Sequence, residues 1–519
     1  MLLIFVFFFA SYRALYPDTI RCIVKLLVAE SMYICIHSAG DKLLKTMERI
    51  IIGRESEQKS LTETVASTGA DMLAVTGRRR VGKTYLIKTF FQNKLHFEFS
   101  GILNADNEQQ LQSFALALTK QSGKRTVKAA PENWMEAFSQ LADYLDSLTK
   151  VKKLIVFIDE LPWLDTHKSK FLPALDWFWN SWATTKNILV IICGSAASWM
   201  ASKIINNRGG LHNRVTKRIH LQPFTLAETE AYLRHNGVVL SRYHILQLYM
   251  ALGGIPHYLK EIKKGQSAAQ NINRICFEKN GLLINEFENL YNALFVNARQ
   301  HISIIQALAA KQKGLSRSEI LASAKLKDGG SFSKLLNELE QSDFIAAYYP
   351  FDKVKKETLY RLTDEYSLFY LKFIRNKKNI NWLQLSSTPT YKSWSGYTFE
   401  NICMKHIEKV KLALGIASVY TEQSSFIYKG SAALDGTQID LLIDRKDNVI
   451  NICEAKFYDK PFTISKAYAT ELREKMRIFQ EKTKTRKSLF LTMISTYGVV
   501  KNEHSIGFVQ QEITIESLF

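Results

Sequence analysis

The stretch DMLAVTGRRRVGKTYLIKTFF, residues 71–91, constrains the chain more than any other. It runs from an apolar strand through a glycine-bounded loop into a helix. Gly77, Gly82, Lys83 and Thr84 fit the spacing G-x-x-x-x-G-K-[ST] residue for residue. Glycines let backbone N–H groups wrap phosphates with no Cβ in the way, and the helix N-terminus adds its partial positive charge. The loop predicts a nucleotide site formed by Gly77, Arg78, Arg79, Arg80, Val81, Gly82, Lys83, Thr84 and Tyr85. Lys83 is expected on the β- and γ-phosphates, and Thr84 offers its hydroxyl to Mg2+.

Two further apolar runs belong with this loop. KKLIVFIDELPWLD (152–165) has the look of a buried parallel strand ending in Asp159-Glu160. Asp159 is expected in the Mg2+ shell, and Glu160 is expected to orient and deprotonate the attacking water. NILVIICGS (187–195) delivers Ser195 to the same edge, either to meet the γ-phosphate or water, or to cap the following ASWMAS segment. Arg208, Arg214 and Arg218 precede another strand; one is expected as an arginine finger across a subunit boundary, the alternative being solvated charges.

The series GRE (53–55), GRRRVGKT (77–84), FIDELPWL (157–164), CGSAASWM (193–200), NRVTKRIHLQPFTLAE (213–228) and GGIPHYL (253–259) resembles a prokaryotic AAA+-type ATPase group. That group is sometimes called the archaeal ATPase group and is related to the STAND signalling NTPases. The resemblance spans most of 47–375. It implies a parallel five-stranded αβα sandwich followed by a helical lid and a winged helix, with ATP and Mg2+ as ligands. It also implies that Arg214 is the finger, which requires a homo-oligomer, and that Gly53-Arg54-Glu55 lies near the adenine. The tripeptide Arg78-Arg79-Arg80 occupies positions that the motif leaves free.

At 519 residues the chain is too long for one core, so three or four domains are expected. A hydrophobic content of 46% with 23% charged residues is globular. The net charge of +20 favours a polyanion such as DNA as partner, against the plainer reading of a lysine-rich source proteome. The six cysteines form no CxxC or Cys/His cluster and read as buried apolar residues in a reducing, cytoplasmic setting. LLIFVFFFA (2–10) lacks a preceding basic segment and is too short to span a bilayer. Residues 1–46 therefore read as a translated upstream extension, with a native start at Met47; a membrane anchor is the competing reading, and no stable membrane association is expected.

The expected division is 47–225 for the P-loop core, 226–290 for the lid, 291–375 for the winged helix and 385–519 for a last α/β domain. In the lid, SRYHILQLYMALGG (241–254) reads as amphipathic. Helices at 302–310, 316–324 and 331–344, then a strand and a lysine-bearing loop, give the winged-helix pattern. Phe332, Leu335, Leu336 and Leu339 are expected in its core. Lys334 and Glu338 share the outward face of that helix, which favours a structural or docking role over groove reading. Lys353, Lys355 and Lys356 are the better phosphate-contact candidates.

The last segment reads as helix 397–412, strands 416–422, 437–444 and 449–457, helix 463–482 and strand 487–494. In GTQIDLLIDRKDNVINICEAKF (436–457), Ile439, Leu441 and Ile443 alternate with Gln438, Asp440 and Asp444, so one face of the hairpin is expected buried and the other polar; Asp440 can then face Glu454, with Glu400 as a candidate third carboxylate. Two carboxylates can hold a divalent ion, with Lys456 beside it to position water or stabilise developing charge. The αβββαβ order and Glu400, Asp440, Glu454 and Lys456 resemble the PD-(D/E)xK restriction-endonuclease-like fold, although Ile439 stands where that motif has proline. The resemblance implies a DNA-binding or DNA-cleaving domain, or one that grips DNA or a partner without cutting. Helix 466–487 is expected to turn Tyr468, Leu472 and Phe479 inward and Arg473, Arg477 and Lys484 outward.

Overall fold

Strands β1 (Asp71–Thr76), β2 (Phe97–Ser100), β3 (Leu154–Asp159), β4 (Ile188–Cys193) and β5 (Lys217–His220) form one parallel sheet in the order β2-β3-β4-β1-β5. Every residue of β3 and β4 is buried, which is why both read as unbroken apolar runs: helices cover both faces. One face packs on an aromatic cluster that includes Phe114, Trp134, Phe138, Phe171 and Phe178. Because β4 lies between β1 and β3, the C-terminal ends of three strands stand side by side. The phosphate loop, Ser195 and Asp159-Glu160 leave from those ends.

The computed structural model describes residues 50–123, 130–205, 213–311, 314–351, 358–375, 381–386, 388–430 and 436–519. The expectations for residues 1–46, Met47, Arg208, Lys353, Lys355 and Lys356 lie outside the described residues. Among the described residues, no helix is long and apolar enough to cross a membrane.

After the sheet come helices Leu226–His235, Arg242–Leu252 and Ala268–Cys276. Thr225, Ser241 and Ser267 start them by accepting from the third amide of each. The helix Arg242–Leu252 departs from the amphipathic expectation: Ile245, Leu246 and Leu248–Leu252 are all buried. It is sandwiched between neighbouring helices, so little of it meets water.

The next segment holds helices Ala298–Ala310 and Arg317–Ala324, then α1 (Gly330–Gln341). A three-stranded antiparallel sheet follows, made of β6 (Leu315–Ser316), β7 (Ile345–Tyr348) and β8 (Leu359–Leu362) in the order β6-β8-β7. Phe332, Leu335, Leu336 and Leu339 are buried on α1 as expected. Asp364 caps the short helix α2 (Glu365–Phe369) by accepting from Ser367 N at 2.9 Å. Just after β7, Phe351 leans on the following α/β segment. Phe351 N donates to Ser425 O at 2.6 Å, and the Phe351 ring packs edge-on to Phe479.

The C-terminal domain begins with α3 (Pro389–Lys405). Its sheet has the order β13-β12-β11-β10-β9, from β9 (Thr421–Tyr428), β10 (Thr437–Arg445), β11 (Val449–Lys456), β12 (Ser488–Ser495) and β13 (Gln511–Thr514); α4 (Lys466–Thr483) joins β11 to β12. β9, β10 and β11 are antiparallel, whereas β12 and β13 run parallel to β11. Four expectations need correction here. The strand expected at 416–422 lies at 421–428, because the register against β10 recruits the polar TEQSSFIY rather than the segment before it. The helix expected at 397–412 starts at Pro389, capped by Thr388, and breaks at His406, whose ring serves another contact. The hairpin is not one-sided: Leu441, Leu442 and Ile443 are all buried. β13 has no counterpart among the expected strands; it is short, at a sheet edge and half exposed.

Candidate functional site

Gly77 and Gly82 take left-handed φ values of 134° and 98°. A Cβ on Gly77 would lie 2.3 Å from the Leu221 carbonyl oxygen, so the loop passes the β5 exit at backbone contact distance. Lys83, at the start of the helix Lys83–Phe91, is 5% exposed. Its Nζ donates to the carbonyls of Gly77 at 2.9 Å and Arg78 at 3.0 Å, directly over the loop. Thr84 Oγ1 donates to Asp159 Oδ2 at 2.6 Å, uniting the two groups expected around Mg2+. A hydroxyl and a carboxylate side by side are hard oxygen donors of the kind Mg2+ takes, so the residues fit that ion.

Glu160 adopts a left-handed backbone with φ 47°. That turn brings its carboxylate to Ser195, whose Oγ donates to Glu160 Oε2 at 2.8 Å and whose amide donates at 3.3 Å. Ser195 does not cap the following turn, whose N-cap is Ala196 without a side-chain bond. Burial raises the Glu160 pKa above the ordinary carboxylate value; Lys83 opposes the shift and Asp159 adds to it.

The basic tripeptide is sorted by the fold. Arg78 is 1% exposed; it pairs with buried Asp364 at the start of α2, and its guanidinium lies 4.7 Å from the Phe344 ring centre. Burial works against both charges, yet the pair keeps Arg78 protonated and holds Asp364 below its usual range. Arg80 ion-pairs with Glu286 and lies over Tyr258. The side chains of Arg78 and Arg80 are therefore taken up by Asp364 and Glu286, at positions whose identity the motif leaves free. Tyr85 is 48% exposed. Arg214 is exposed just before β5, the edge strand of the sheet, and Arg218 is exposed within it. Arg54 donates from its amide to Glu228 Oε1 at 2.9 Å and from its guanidinium to the Val81 carbonyl at 3.4 Å. The GRE segment is thus tied to both the loop and the helix Leu226–His235.

In the C-terminal domain, the pairs Leu441↔Cys453 and Leu442↔Ile452, continued by one residue, set Asp440 opposite Glu454. The β9 pairing skips one residue of β10 between Ile439 and Leu442, a bulge that includes Asp440. Glu400, Asp440 and Glu454 all border one small enclosed cavity with Cys403 and Cys453. A larger cleft of ≈ 850 Å³ reaches Glu400 and Asp440 from outside, with Lys392 and Lys475 on its wall. Burial, then Asp440, pushes the Glu400 carboxyl up to about 8.

Among the described residues, however, no three His, Cys, Asp or Glu side chains stand close enough together to hold a metal ion. The acids are instead occupied by the protein's own groups. Glu454 accepts from Tyr468 Oη and Lys475 Nζ, both at 2.9 Å, while Lys456 stands 3.7 Å away over the Tyr468 ring. Asp440 accepts from Gln438 at 2.6 Å and lies 3.7 Å from Arg361. Glu400, Asp440 and Glu454, expected as metal ligands, thus share a cavity without forming a group of three placed to hold a metal ion. Lys475, Arg361 and the bulge were missed. Lys475 and Arg361 sit on elements remote in sequence, and nothing local in the chain marks them. On α4, Leu472 and Phe479 are buried and Tyr468 half-buried, while Arg477 is taken up by Glu474 and Glu481.

Residues 51–262 match the family model described as an ATPase domain predominantly from Archaea. An uncharacterized protein of Methanocaldococcus jannaschii is 24% identical over 329 residues, covering 63% of this chain and 69% of that protein. The Walker-type ATPase of Pyrococcus abyssi is 19% identical, with a TM-score of 0.47 over 62% of this chain and 96% of that one. The ORC2 protein of Aeropyrum pernix, seen with ADPNP and ADP, is 15% identical with a TM-score of 0.41, over 64% and 95% of the two chains.

Proposed function

With an archaeal-type P-loop ATPase domain at residues 51–262, we propose that the chain is an ATP-driven switch whose hydrolysis sets the state of a nuclease-like C-terminal domain acting on DNA. In this reading the loop amides from Gly77 to Thr84 bind the triphosphate. Lys83 leaves the Gly77 and Arg78 carbonyls for the β- and γ-phosphate oxygens. Thr84 and Asp159 would hold Mg2+, which supplies charge neutralisation across the β- and γ-phosphates when bound. Glu160 takes the proton of the attacking water. Its raised proton affinity suits that role, and Ser195 orients it by holding Oε2. Arg214, on the exposed edge beside β5, serves a neighbouring protomer's site as a finger. Residues 291–375 form a winged helix used for docking, and four buried free cysteines (Cys193, Cys276, Cys403 and Cys453) suit a reducing cytoplasm.

The observation that carries the reading is the Ser195–Glu160–Asp159–Thr84 series across three adjacent strand ends, beside a lysine already over the loop. The test is ATP hydrolysis by the full chain. Lys83→Ala should abolish nucleotide binding, and Glu160→Gln should bind ATP but lose about 10²-fold or more in kcat. Wild-type rates in either variant would refute it. For the C-terminal domain, the contacts of Glu454 with Lys475 and of Asp440 with Arg361 favour a second reading, in which it grips DNA without cutting. Salt-sensitive binding that survives Glu454→Ala/Lys456→Ala, with plasmid left intact by wild type, selects that reading. Nicking that disappears in Asp440→Ala selects cleavage.

A further inference from the structure

Four residues at the β8–α2 corner, Arg361, Leu362, Asp364 and Glu365, reach the phosphate loop on one side and α3 with Asp440 on the other. Arg361 is 3% exposed and donates from Nη1 to Asn401 Oδ1 at 3.2 Å and to Met404 Sδ at 3.0 Å. Its Nη2 lies 3.7 Å from Asp440, and its guanidinium is stacked between Tyr348 and Tyr397 at 5.2 and 5.5 Å. Its Nε is buried with no hydrogen-bond partner. Leu362 O accepts from Asn401 at 3.3 Å, and Glu365 accepts from Lys405 at 2.6 Å. Asn401, Met404 and Lys405 all belong to α3, the helix that carries Glu400. Between these contacts stands Asp364, which holds Arg78 of the phosphate loop.

Arg361 thus supplies a positive charge beside Asp440. A guanidinium this buried, with one N–H left unpartnered, is costly to keep and is held by the surrounding contacts rather than by Asp440 alone. At the other end, Lys83 spends two of its three N–H donors on the Gly77 and Arg78 carbonyls. Phosphate oxygens compete for the same ammonium group, so filling the loop changes what holds the Arg78 backbone. The Arg78 side chain is locked into Asp364 and stacked on Phe344, so it ties the loop to the corner.

We propose that residues 361–365 are a positioning segment that couples the phosphate loop to the C-terminal acidic cavity: nucleotide at the loop draws the Asp364 corner, and with it Arg361, away from Asp440. Arg361 is then the protein's own plug over Asp440. The proposal rests on the reading of 77–84 as the ATP site. Linkage makes it reciprocal: whatever removes Arg361's hold on Asp440 must strengthen nucleotide binding by the same factor. A loss of folding integrity would weaken binding instead, so the sign separates coupling from damage.

The experiment uses the full chain. Calorimetry with Mg·ADP measures uptake, and hydrogen exchange is followed at amides 361–367 and 400–406 with Mg2+ present in both arms. Wild type should take up nucleotide and exchange about 5-fold or more faster at both segments when it does. Arg361→Gln, which touches no nucleotide-binding group, should bind Mg·ADP about 5-fold or more tighter than wild type. Asp364→Asn keeps the helix cap but removes the charge; it should exchange fast in both segments before nucleotide is added, with no further change after. Uptake with unchanged exchange, or equal or weaker binding by Arg361→Gln, overturns the coupling while leaving the ATP site intact. Absence of uptake by wild type overturns the ATP reading and the coupling together. If Asp364→Asn does not fold, the affinity of Arg361→Gln decides alone.

Discussion

Replacing Glu400 by glutamine probes the acidic cavity with no assumption about its ligand. The carboxyl sits where burial and the neighbouring Asp440 raise its proton affinity, from an ordinary value of 4.5 to about 8. The sign follows from proton linkage. Between those values the folded chain holds a proton at Glu400 that the unfolded chain has released, so stability falls as pH rises through the window. At about 1.4 kcal/mol per tenfold change in proton affinity, the full window is worth roughly 5 kcal/mol. Glu400 also lines the open cleft, where water screens it, so roughly half of that is the expected effect. Glutamine keeps the shape and removes the titration. In urea unfolding at pH 5, 6.5 and 8, wild type should lose about 2–3 kcal/mol relative to Glu400→Gln across the series, with equal m-values. Parallel profiles would refute the physical account, because they would mean that Glu400 is ionised at no cost and that its cavity is not the low-dielectric site described.

Gly77 and Gly82 should separate steric from conformational roles. Gly77→Ala meets the Leu221 carbonyl and should cost about 2–3 kcal/mol of stability, whereas Gly82→Ala, with open space beside it, should cost about 1 kcal/mol; a thermal melt of each compares them. His406 accepts from Leu226 N through Nε2, which only a neutral ring allows, and burial lowers its pKa to about 4. Wild type should therefore lose stability as pH falls from about 6.5 toward 4, and His406→Gln should lose less; identical acid profiles would contradict this. Arg477, salt-bridged on the exposed face of α4, should be silent: Arg477→Ala is expected to melt at the wild-type temperature, and a clear drop would contradict this.

What could be read from the chain follows the range of the forces involved. The phosphate loop is local: two glycines, a lysine and a threonine within eight residues specify a backbone path, and the strand before it is apolar on both faces. Asp159 and Glu160 were legible for the same reason, since a fully apolar run closing on two acids places both carboxylates at the strand's C-terminal end. The Arg78–Asp364 pair joins residues 286 apart, and neither residue carries a local mark of its partner. Arg361 is an arginine inside an apolar β-strand, LYRL, which reads as an ordinary exposed position until α3 and two tyrosines close over it. The bulge at Asp440 is invisible to a period-two reading, because one extra residue reverses which side chains face inward. The break at His406 was hidden because the residues on either side of it favour helix.

The hydrogen bond from Phe351 to Ser425 leaves a mark on how this protein can be cut. It caps the outer strand of the last sheet, and the Phe351 ring closes the greasy seam formed by Phe426 and Phe479. A fragment that begins at residue 385 loses that cover and bares a ragged β-edge next to an open aromatic pocket, an arrangement prone to sticking to its own kind. Expression boundaries drawn upstream of residue 345, so that the hairpin travels with the sheet, should yield the better-behaved piece.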